Sequence, residues 1–168
     1  DISSFFRVNG YPPKDPEWIA LSKDKFKDWK LKITGLNGED KFMTLEDLKK
    51  LPKSEQITKH NCIQGWSAIA EWGGITLSEF MKHLDINPKA KYIVFYAYDR
   101  DEDEKEYYSS LSLKEAQYPQ SLLAYEMNWN PLPIEHGAPI RLRMESKLGF
   151  KMVKYIREIS FVENIRDI

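Results

Sequence analysis

Tyr92-Ile93-Val94-Phe95-Tyr96-Ala97-Tyr98 is the stretch that decides the fold, because every position carries an apolar or aromatic side chain. An unbroken run of this kind is typical of a β-strand that is buried on both faces. Further strands are predicted around it. Residues 29–34 and 140–145 alternate apolar and polar side chains, which predicts strands. The apolar segments 57–63 and 155–162 are also predicted to be strands. Residues 122–127 are a further apolar segment.

Short helices are predicted between these strands. Thr44 is suited to cap a helix that begins with acidic residues. Two capping boxes, Thr76 with Glu79 and Ser112 with Glu115, mark two more helix starts. Strands interspersed with short helices, without regular βαβ spacing, indicate an α+β fold with mixed sheets.

Length and composition limit the classes of function. A chain of 168 residues with 42% hydrophobic and 30% charged residues predicts one globular domain spanning residues 1–168. A formal net charge of −1 gives no overall basic field, so we expect no nucleic-acid partner. No apolar run approaches the roughly 20 residues that a membrane span requires. The first residue is not methionine, so a removed export signal stays open.

The single cysteine, Cys62, lies in the segment His60-Asn61-Cys62-Ile63-Gln64-Gly65-Trp66-Ser67. A lone thiol makes neither an internal disulfide nor a multi-cysteine zinc site, so its chemistry needs another partner. That partner is a substrate, a redox mate on another chain or a soft metal in a cofactor. The alternative is a small buried hydrophobe. The small, polar and aromatic neighbours favour the metal.

The chain has three histidines, His60, His83 and His136, that could act as ligands. His60 stands two positions before Cys62 on a predicted strand, so it shares the face of the thiol. It either reaches a group bound there or forms hydrogen bonds in the core. His83 ends a predicted helix, where a positive charge is favourable. The histidines have no metal-ligand spacing among themselves, which argues against zinc.

Four stretches carry a family resemblance in the family's order. They are Phe5-Phe6-Arg7-Val8-Asn9; the Cys62 segment with Trp66, Ser67, Trp72 and Gly74; Leu123–Asn128 with Pro131-Leu132-Pro133 and His136-Gly137-Ala138-Pro139-Ile140-Arg141; and Gly149-Phe150-Lys151-Met152-Val153-Lys154-Tyr155-Ile156. Together they resemble the molybdopterin-binding domain of the sulfite oxidase family, in its bacterial single-domain form.

The resemblance implies a molybdenum–molybdopterin (Mo-MPT) cofactor and a role for each matching residue. Cys62 would be the metal ligand, and thiolate suits a soft-ligated metal. Cys62 and His60 are the expected catalytic residues, His60 because its place on the predicted strand puts it within reach of a group bound at Cys62. The residues expected to bind the cofactor are Phe6, Val8, Asn9, Cys62, Trp66, Ser67, His136, Arg141, Gly149, Lys151 and Lys154. The cations among them suit the terminal phosphate of the pterin.

The basic residues near the C-terminus have a second interpretation. Arg141 and Arg143 alternate on a predicted strand, where charges usually lie on a solvated face. The segment from Gly149 to Lys154 is predicted to be a turn, because glycine permits close approach and two lysines follow it.

The implied activity is oxygen-atom transfer on a small S- or N-containing substrate of the sulfite or sulfoxide kind. Ile63, Gln64 and Gly65 stand where sulfite-oxidising members carry extra arginines, which weakens a sulfite assignment. The alternative is a non-catalytic ligand-binding or interaction module of the same fold. A thiol enzyme that pairs Cys62 with His60 fits poorly, because no residue is identified to orient the imidazole.

The expected partner is a separate electron-transfer protein, either a cytochrome or a membrane haem subunit. The acidic segment 99–106 is predicted to be an exposed, mobile loop or hairpin tip, and it would either dock a basic partner or merely solubilise the chain. A periplasmic or exported location is favoured over the cytoplasm.

Overall fold

The computed structural model describes residues 11–61, 67–100, 103–146 and 149–167. In these residues the α-helices are α1 (Pro16–Lys23), α2 (Leu45–Lys49), α3 (Leu77–Lys82) and α4 (Leu113–Ala116), with 3₁₀ helices at Ile134–His136 and Ile165–Asp167. The strands are β1 (Lys30–Thr34), β2 (Lys41–Thr44), β3 (Ser54–Asn61), β4 (Ser67–Thr76), β5 (Tyr92–Arg100), β6 (Glu106–Ser112), β7 (Leu122–Met127), β8 (Asn130–Pro131), β9 (Arg141–Ser146), β10 (Gly149–Val153) and β11 (Ile156–Val162).

The strands form two sheets, one mixed and one antiparallel. One has the order β2-β1-β11-β5-β6, in which β1 and β11 run parallel. The other has the order β10-β9-β7-β4-β3, with β8 paired to β7, and its strand pairs are antiparallel. These sheets, with few short helices, confirm the predicted α+β class.

The apolar run that opened the sequence analysis is the core of the first sheet. Strand β5 lies between β11 and β6. Ile93, Val94 and Phe95 are fully buried, whereas Tyr96 is half-buried. Burial on both faces is therefore confirmed for most of the strand. The physical cause is its inner position, which leaves neither edge open.

The predicted helix starts are present, with one difference in detail. Thr44 with Asp47, and Ser112 with Glu115, form complete capping boxes. Thr76 accepts a hydrogen bond from the Glu79 amide, as predicted. The Glu79 carboxylate, however, lies against Lys82 and His83 on its own helix. Pairing with these two side chains competes with the return bond of the box.

The acidic segment 99–106 is more structured than predicted. Strand β5 extends to Arg100, which pairs with Glu106 at the start of β6. The exposed tip is therefore shorter than the predicted loop. Burial raises the pKa of Asp99, whose carboxyl group lies below the surface. The predicted hairpin is confirmed, but the prediction that the whole segment is exposed is wrong at both ends, because cross-strand pairing continues into the charged residues.

The predicted turn from Gly149 to Lys154 is wrong. Residues Gly149–Val153 form β10, which pairs with β9 from Gly149–Ser146 to Val153–Leu142. Apolar side chains at alternate positions favour this pairing over a turn. Lys154 follows the strand and is the residue that reaches the candidate site. Among the helices of the described residues, none is long and apolar enough to cross a bilayer.

Candidate functional site

Two arginines of β9 lie against the indole ring of Trp72 on β4. The guanidinium carbons of Arg141 and Arg143 are 5.0 Å and 4.1 Å from the ring centroid. Both arginines are buried, with exposures of 6% and 8%. The interpretation as a solvated strand face is therefore wrong. The fully buried indole offers each guanidinium an aromatic face and covers the aliphatic part of that arginine side chain.

The loop before β9 brings His136, Arg141 and Lys154 together. Gly137 follows the short 3₁₀ helix in a left-handed conformation with φ 110°. A Cβ at this position would lie 3.0 Å from the Cβ of Lys154 and 3.2 Å from the Cβ of Arg141. Glycine thus permits a close approach that other residues resist. Three residues predicted from the family motif are neighbours for this reason.

Hydrogen bonds fix this loop against both sheets. Arg141 Nη1 donates to the His136 carbonyl at 2.9 Å, and the His136 ring lies edge-on to Trp72 with centroids 6.3 Å apart. Trp18 Nε1 donates to the Ala138 carbonyl at 3.0 Å, and the Tyr155 amide donates to the Gly137 carbonyl at 3.2 Å. The loop is therefore held in place by residues distant in sequence.

Arg141 is a buried cation with no carboxylate to balance it among the described residues. It donates to the His136 carbonyl and contacts the Met152 sulfur at 2.9 Å, while its Nε is buried without a hydrogen-bond partner in those residues. Burial, and then the nearby Arg143, lower the pKa of Arg141 to about 9. A desolvated guanidinium is costly unless an anion compensates it. The arrangement therefore suits an anionic ligand.

Lys154 and Asp99 lie at the border of the same cluster. Burial, and then Arg141, lower the pKa of Lys154, whereas Asp99 acts in the opposite direction. The Lys154 ammonium is 5.3 Å from the Tyr155 ring centroid. We name His136, Arg141, Lys154 and Tyr155 the basic cluster. Arg141 and Lys154 are the cations of this cluster, and the carboxyl group of Asp99 lies beside it.

Tyr155 contributes a buried phenol to the basic cluster. Its hydroxyl has no hydrogen-bond partner in the described residues, and its exposure is 1%. Burial, and then Asp99, raise the pKa of Tyr155 to about 12. The sequence motif predicted Lys154 but not this phenol. Its place depends on a left-handed backbone conformation, φ 59°, that no sequence pattern signals.

We expect Tyr155→Phe to alter the alkaline stability of the protein. The folded pKa of Tyr155 lies above the unfolded value near 10, so its stabilising effect is complete below pH 10. That effect is lost as pH rises from about 10 to about 12. Phenylalanine removes this loss, so the free energy of unfolding should fall less steeply with pH in the variant. Urea titrations of both proteins at stepped pH check this, and parallel curves would contradict it.

Several predicted site residues lie outside the described structure. Phe6, Val8, Asn9, Cys62 and Trp66 belong to this group, so their roles stay predictions. For His60, Ser67, Gly149 and Lys151 the structure describes the backbone: His60 pairs with Ala68, Ser67 with Asn61, Gly149 with Ser146 and Lys151 with Met144. No group of three or more His, Cys, Asp or Glu residues suited to a metal ion occurs in the described parts of the chain.

The structure adds Trp72, Arg143, Tyr155 and Asp99 to the neighbourhood of the predicted residues. Trp72 lies in a resembling stretch, and Arg143 shares its strand face with Arg141, so both had a signal in the sequence. Asp99 had none, because a charge inside an acidic run is typical of a solvated loop.

Known proteins resemble this chain over most of its length. A sequence model of the family described as "Oxidoreductase molybdopterin binding domain" matches residues 18–167. A chain of Azospira oryzae, provisionally described as protein-methionine-sulfoxide reductase subunit YedZ1, is 36% identical over 81% of this chain and 49% of its own length. The protein-methionine-sulfoxide reductase catalytic subunit MsrP of Xanthomonas campestris pv. campestris is 32% identical over 98% of this chain and 55% of its own.

Among solved structures, a sulfane dehydrogenase shares the fold. The sulfane dehydrogenase SoxCD of Paracoccus pantotrophus superposes with a TM-score of 0.63 at 21% identity, over 82% of this chain and 39% of the other. This chain spans about half the length of the curated relatives that it matches. The family resemblance inferred from four motifs is confirmed. The chain belongs to the oxidoreductase molybdopterin-binding domain family, of the sulfite oxidase type.

Proposed function

We propose that this chain is the catalytic domain of a molybdopterin-dependent oxidoreductase that reduces sulfoxides, with Cys62 as the molybdenum ligand. The observation that carries the proposal is Arg141, a buried cation without a carboxylate among the described residues, placed beside His136 and Lys154. Such a cluster has a physical reason to exist if an anion belongs there.

The described residues fit the Mo-MPT cofactor. Its terminal phosphate requires charge-assisted donors, and a planar guanidinium with a buried, unpaired Nε is one. Lys154 adds a second cation at the border of the cluster, and Tyr155 adds a buried hydroxyl. Arg141 and Lys154 would therefore hold the phosphate, and Tyr155 would donate a hydrogen bond beside them.

When bound, the cofactor supplies the exchange of an oxygen atom coupled to two electrons. The protein's part is to bind and orient it and to exclude water. Trp72 serves this role, since its indole fills the space beneath both arginines and is 1% exposed. A cation held in a dry site binds an anion more strongly than the same cation in water. Cys62 follows β3 directly, and His60 lies within that strand.

Sulfoxides are the substrate class that the relatives support, because both curated relatives are named as protein-methionine-sulfoxide reductase subunits. In the reaction, a sulfoxide takes up two electrons and two protons and yields a thioether and water. The electrons would come from a separate protein, in line with the expected haem partner. We also propose a periplasmic or exported location, as favoured from the sequence.

The test uses protein purified from a host that makes the cofactor. Reduced benzyl viologen supplies electrons, and its oxidation is followed with methionine sulfoxide, dimethyl sulfoxide or trimethylamine N-oxide as acceptor. We expect turnover with the sulfoxides. We expect no sulfite oxidation with ferricyanide, because Ile63, Gln64 and Gly65 replace the arginines that would attract a dianion. Molybdenum-loaded protein that oxidises sulfite and ignores sulfoxides would contradict the proposal.

A further inference from the structure

Met152 places a thioether sulfur against the most buried cation of the basic cluster. Its Sδ lies 2.9 Å from Arg141 Nη2. The contact follows from the register of the β9–β10 pair, in which Met152 is opposite Arg143 and therefore diagonal to Arg141. Sulfur is a weak acceptor, so this donor of Arg141 is held less firmly than Nη1, which is bonded to the His136 carbonyl.

Met152 is also the most exposed methionine of the chain. The chain has five methionines, all of which lie in the described residues. Met152 is 39% exposed. The other four are less accessible, three of them buried and one half-buried: Met43, Met127, Met144 and Met81. Strand β10 pairs with β9 alone among the described strands, so a dissolved oxidant approaches Met152 from the open edge of the sheet.

A peroxide converts an accessible methionine thioether to its sulfoxide. The sulfur lone pair attacks one peroxide oxygen, and an S–O bond forms as the O–O bond breaks. The second oxygen takes the proton of the first and leaves as water. Sulfur is oxidised by two electrons, which the peroxide takes up. The side chain becomes polar, and it gains an oxygen that is a stronger hydrogen-bond acceptor than the thioether sulfur.

The new oxygen forms beside the guanidinium that is proposed to hold the cofactor phosphate. Arg141 is buried, and no carboxylate balances it among the described residues. A desolvated guanidinium is a strong, charge-assisted donor to an oxygen within reach. Donors of Arg141 that bind the sulfoxide oxygen are lost to any other acceptor. The sulfoxide and the phosphate therefore compete for the same cation.

We propose that Met152 is an oxidation site that regulates cofactor retention: a peroxide converts Met152 to its sulfoxide, the sulfoxide binds Arg141, and the Mo-MPT cofactor is released more readily. The inference rests on the proposed role of Arg141 and goes beyond it, because cofactor retention then depends on the oxidation state of a side chain of this protein. Methionine sulfoxide can be reduced again, so the effect is reversible. The competing target of the oxidant is the thiol of Cys62.

The first test treats the molybdenum-loaded protein with hydrogen peroxide. Peptide mass spectrometry measures the sulfoxide at each methionine, and metal analysis after timed gel filtration measures the molybdenum retained. We expect Met152 to be oxidised first. Molybdenum should dissociate roughly tenfold faster from protein oxidised at this residue, because one charge-assisted contact has gained a competitor. Earlier oxidation of another methionine, or unchanged dissociation after oxidation of Met152, would overturn the proposal.

The second test uses Met152→Leu, which keeps the volume of the side chain and has no sulfur to oxidise. This variant retains Cys62, so any loss of molybdenum caused by oxidation of the thiol persists in it. We expect peroxide to leave its dissociation rate close to that of untreated protein. Met81→Leu, which changes a half-buried methionine of α3, is the matched control and should respond to peroxide like the wild type. Equal acceleration in all three proteins would contradict a role for Met152.

Met152→Gln tests the competition for Arg141 without an oxidant. The glutamine amide supplies a strong oxygen acceptor on a side chain of similar length. We expect this variant to lose molybdenum faster than the wild type before any treatment, and peroxide to add little. Circular dichroism checks that each variant is folded. A folded glutamine variant that retains molybdenum as well as Met152→Leu would contradict the mechanism.

Reversal and metal loading separate this inference from the proposed function. Thiol-dependent methionine sulfoxide reductases for both epimers, added to oxidised protein before gel filtration, should return the dissociation rate to its original value. A rate that stays high would assign the effect to another lesion and overturn the proposal. Untreated wild-type protein without molybdenum would contradict the proposed function itself. Loaded protein that retains molybdenum equally well with Met152 reduced or oxidised would contradict this inference alone.

Discussion

Cys62→Ser is expected to lower sulfoxide turnover by at least about a hundredfold, equivalent to roughly 2.7 kcal/mol of transition-state stabilisation. Cys62 is the single cysteine of the chain, so no other thiolate is present to replace it. A serine hydroxyl is a harder and more weakly ligating group for a soft-ligated metal. Dye-linked turnover per milligram of protein measures the loss.

The fold of this variant is expected to be preserved, because the change removes no large side chain. Circular dichroism and thermal unfolding check this requirement. Lys59→Ala is a useful comparison, since it alters an exposed residue of the same strand pair without removing the thiol. A folded Cys62→Ser protein with full turnover would end the assignment of Cys62 as the metal ligand.

Arg141→Ala is expected to purify with substoichiometric molybdenum and to show near-normal turnover per metal bound. Each charge-assisted contact to the phosphate is worth about 1.5–3 kcal/mol, so one loss should weaken cofactor binding by roughly ten- to a hundredfold. Lys154→Ala should also lower the molybdenum content while turnover per metal stays near normal. It should disturb the fold less, because Lys154 is less buried than Arg141. Metal analysis and kinetics on the same preparations give both quantities.

Arg157→Ala is the matched control for this experiment. Arg157 is a partly exposed arginine of the other sheet, where it pairs with Glu106 and Glu158. Its loss should leave molybdenum content unchanged. If Arg141→Ala instead keeps its full metal content and raises the KM for the sulfoxide, the cation belongs to the substrate entrance rather than to the cofactor.

The strands could be predicted from the sequence because their side-chain patterns are local. The continuous run at 92–98 follows from burial on two faces, and the alternation of residues 30–34 follows from burial on one. The pairing of the strands with one another could not be predicted in this way. The parallel pairing of β1 with β11 joins the two ends of the chain, and no local pattern encodes it.

The candidate site, too, could be predicted only where a local motif marks its residues. The motif from His136 to Arg141 predicted two members of the basic cluster, and the spacing of the lysines predicted Lys154. The burial of Arg141 and Arg143 could not be predicted, because alternating charged residues on a strand usually mark its solvent-exposed face. It depends on Trp72, which comes from another strand and is brought across by the sheet.

The molybdenum content of the purified protein, measured by mass spectrometry beside the pterin released on denaturation, tests the central claim most directly. Expression in a host that makes the cofactor should give molybdenum and pterin in equal amounts, both lost together in Arg141→Ala. A folded wild-type protein from the same host that carries neither molybdenum nor pterin would contradict the account.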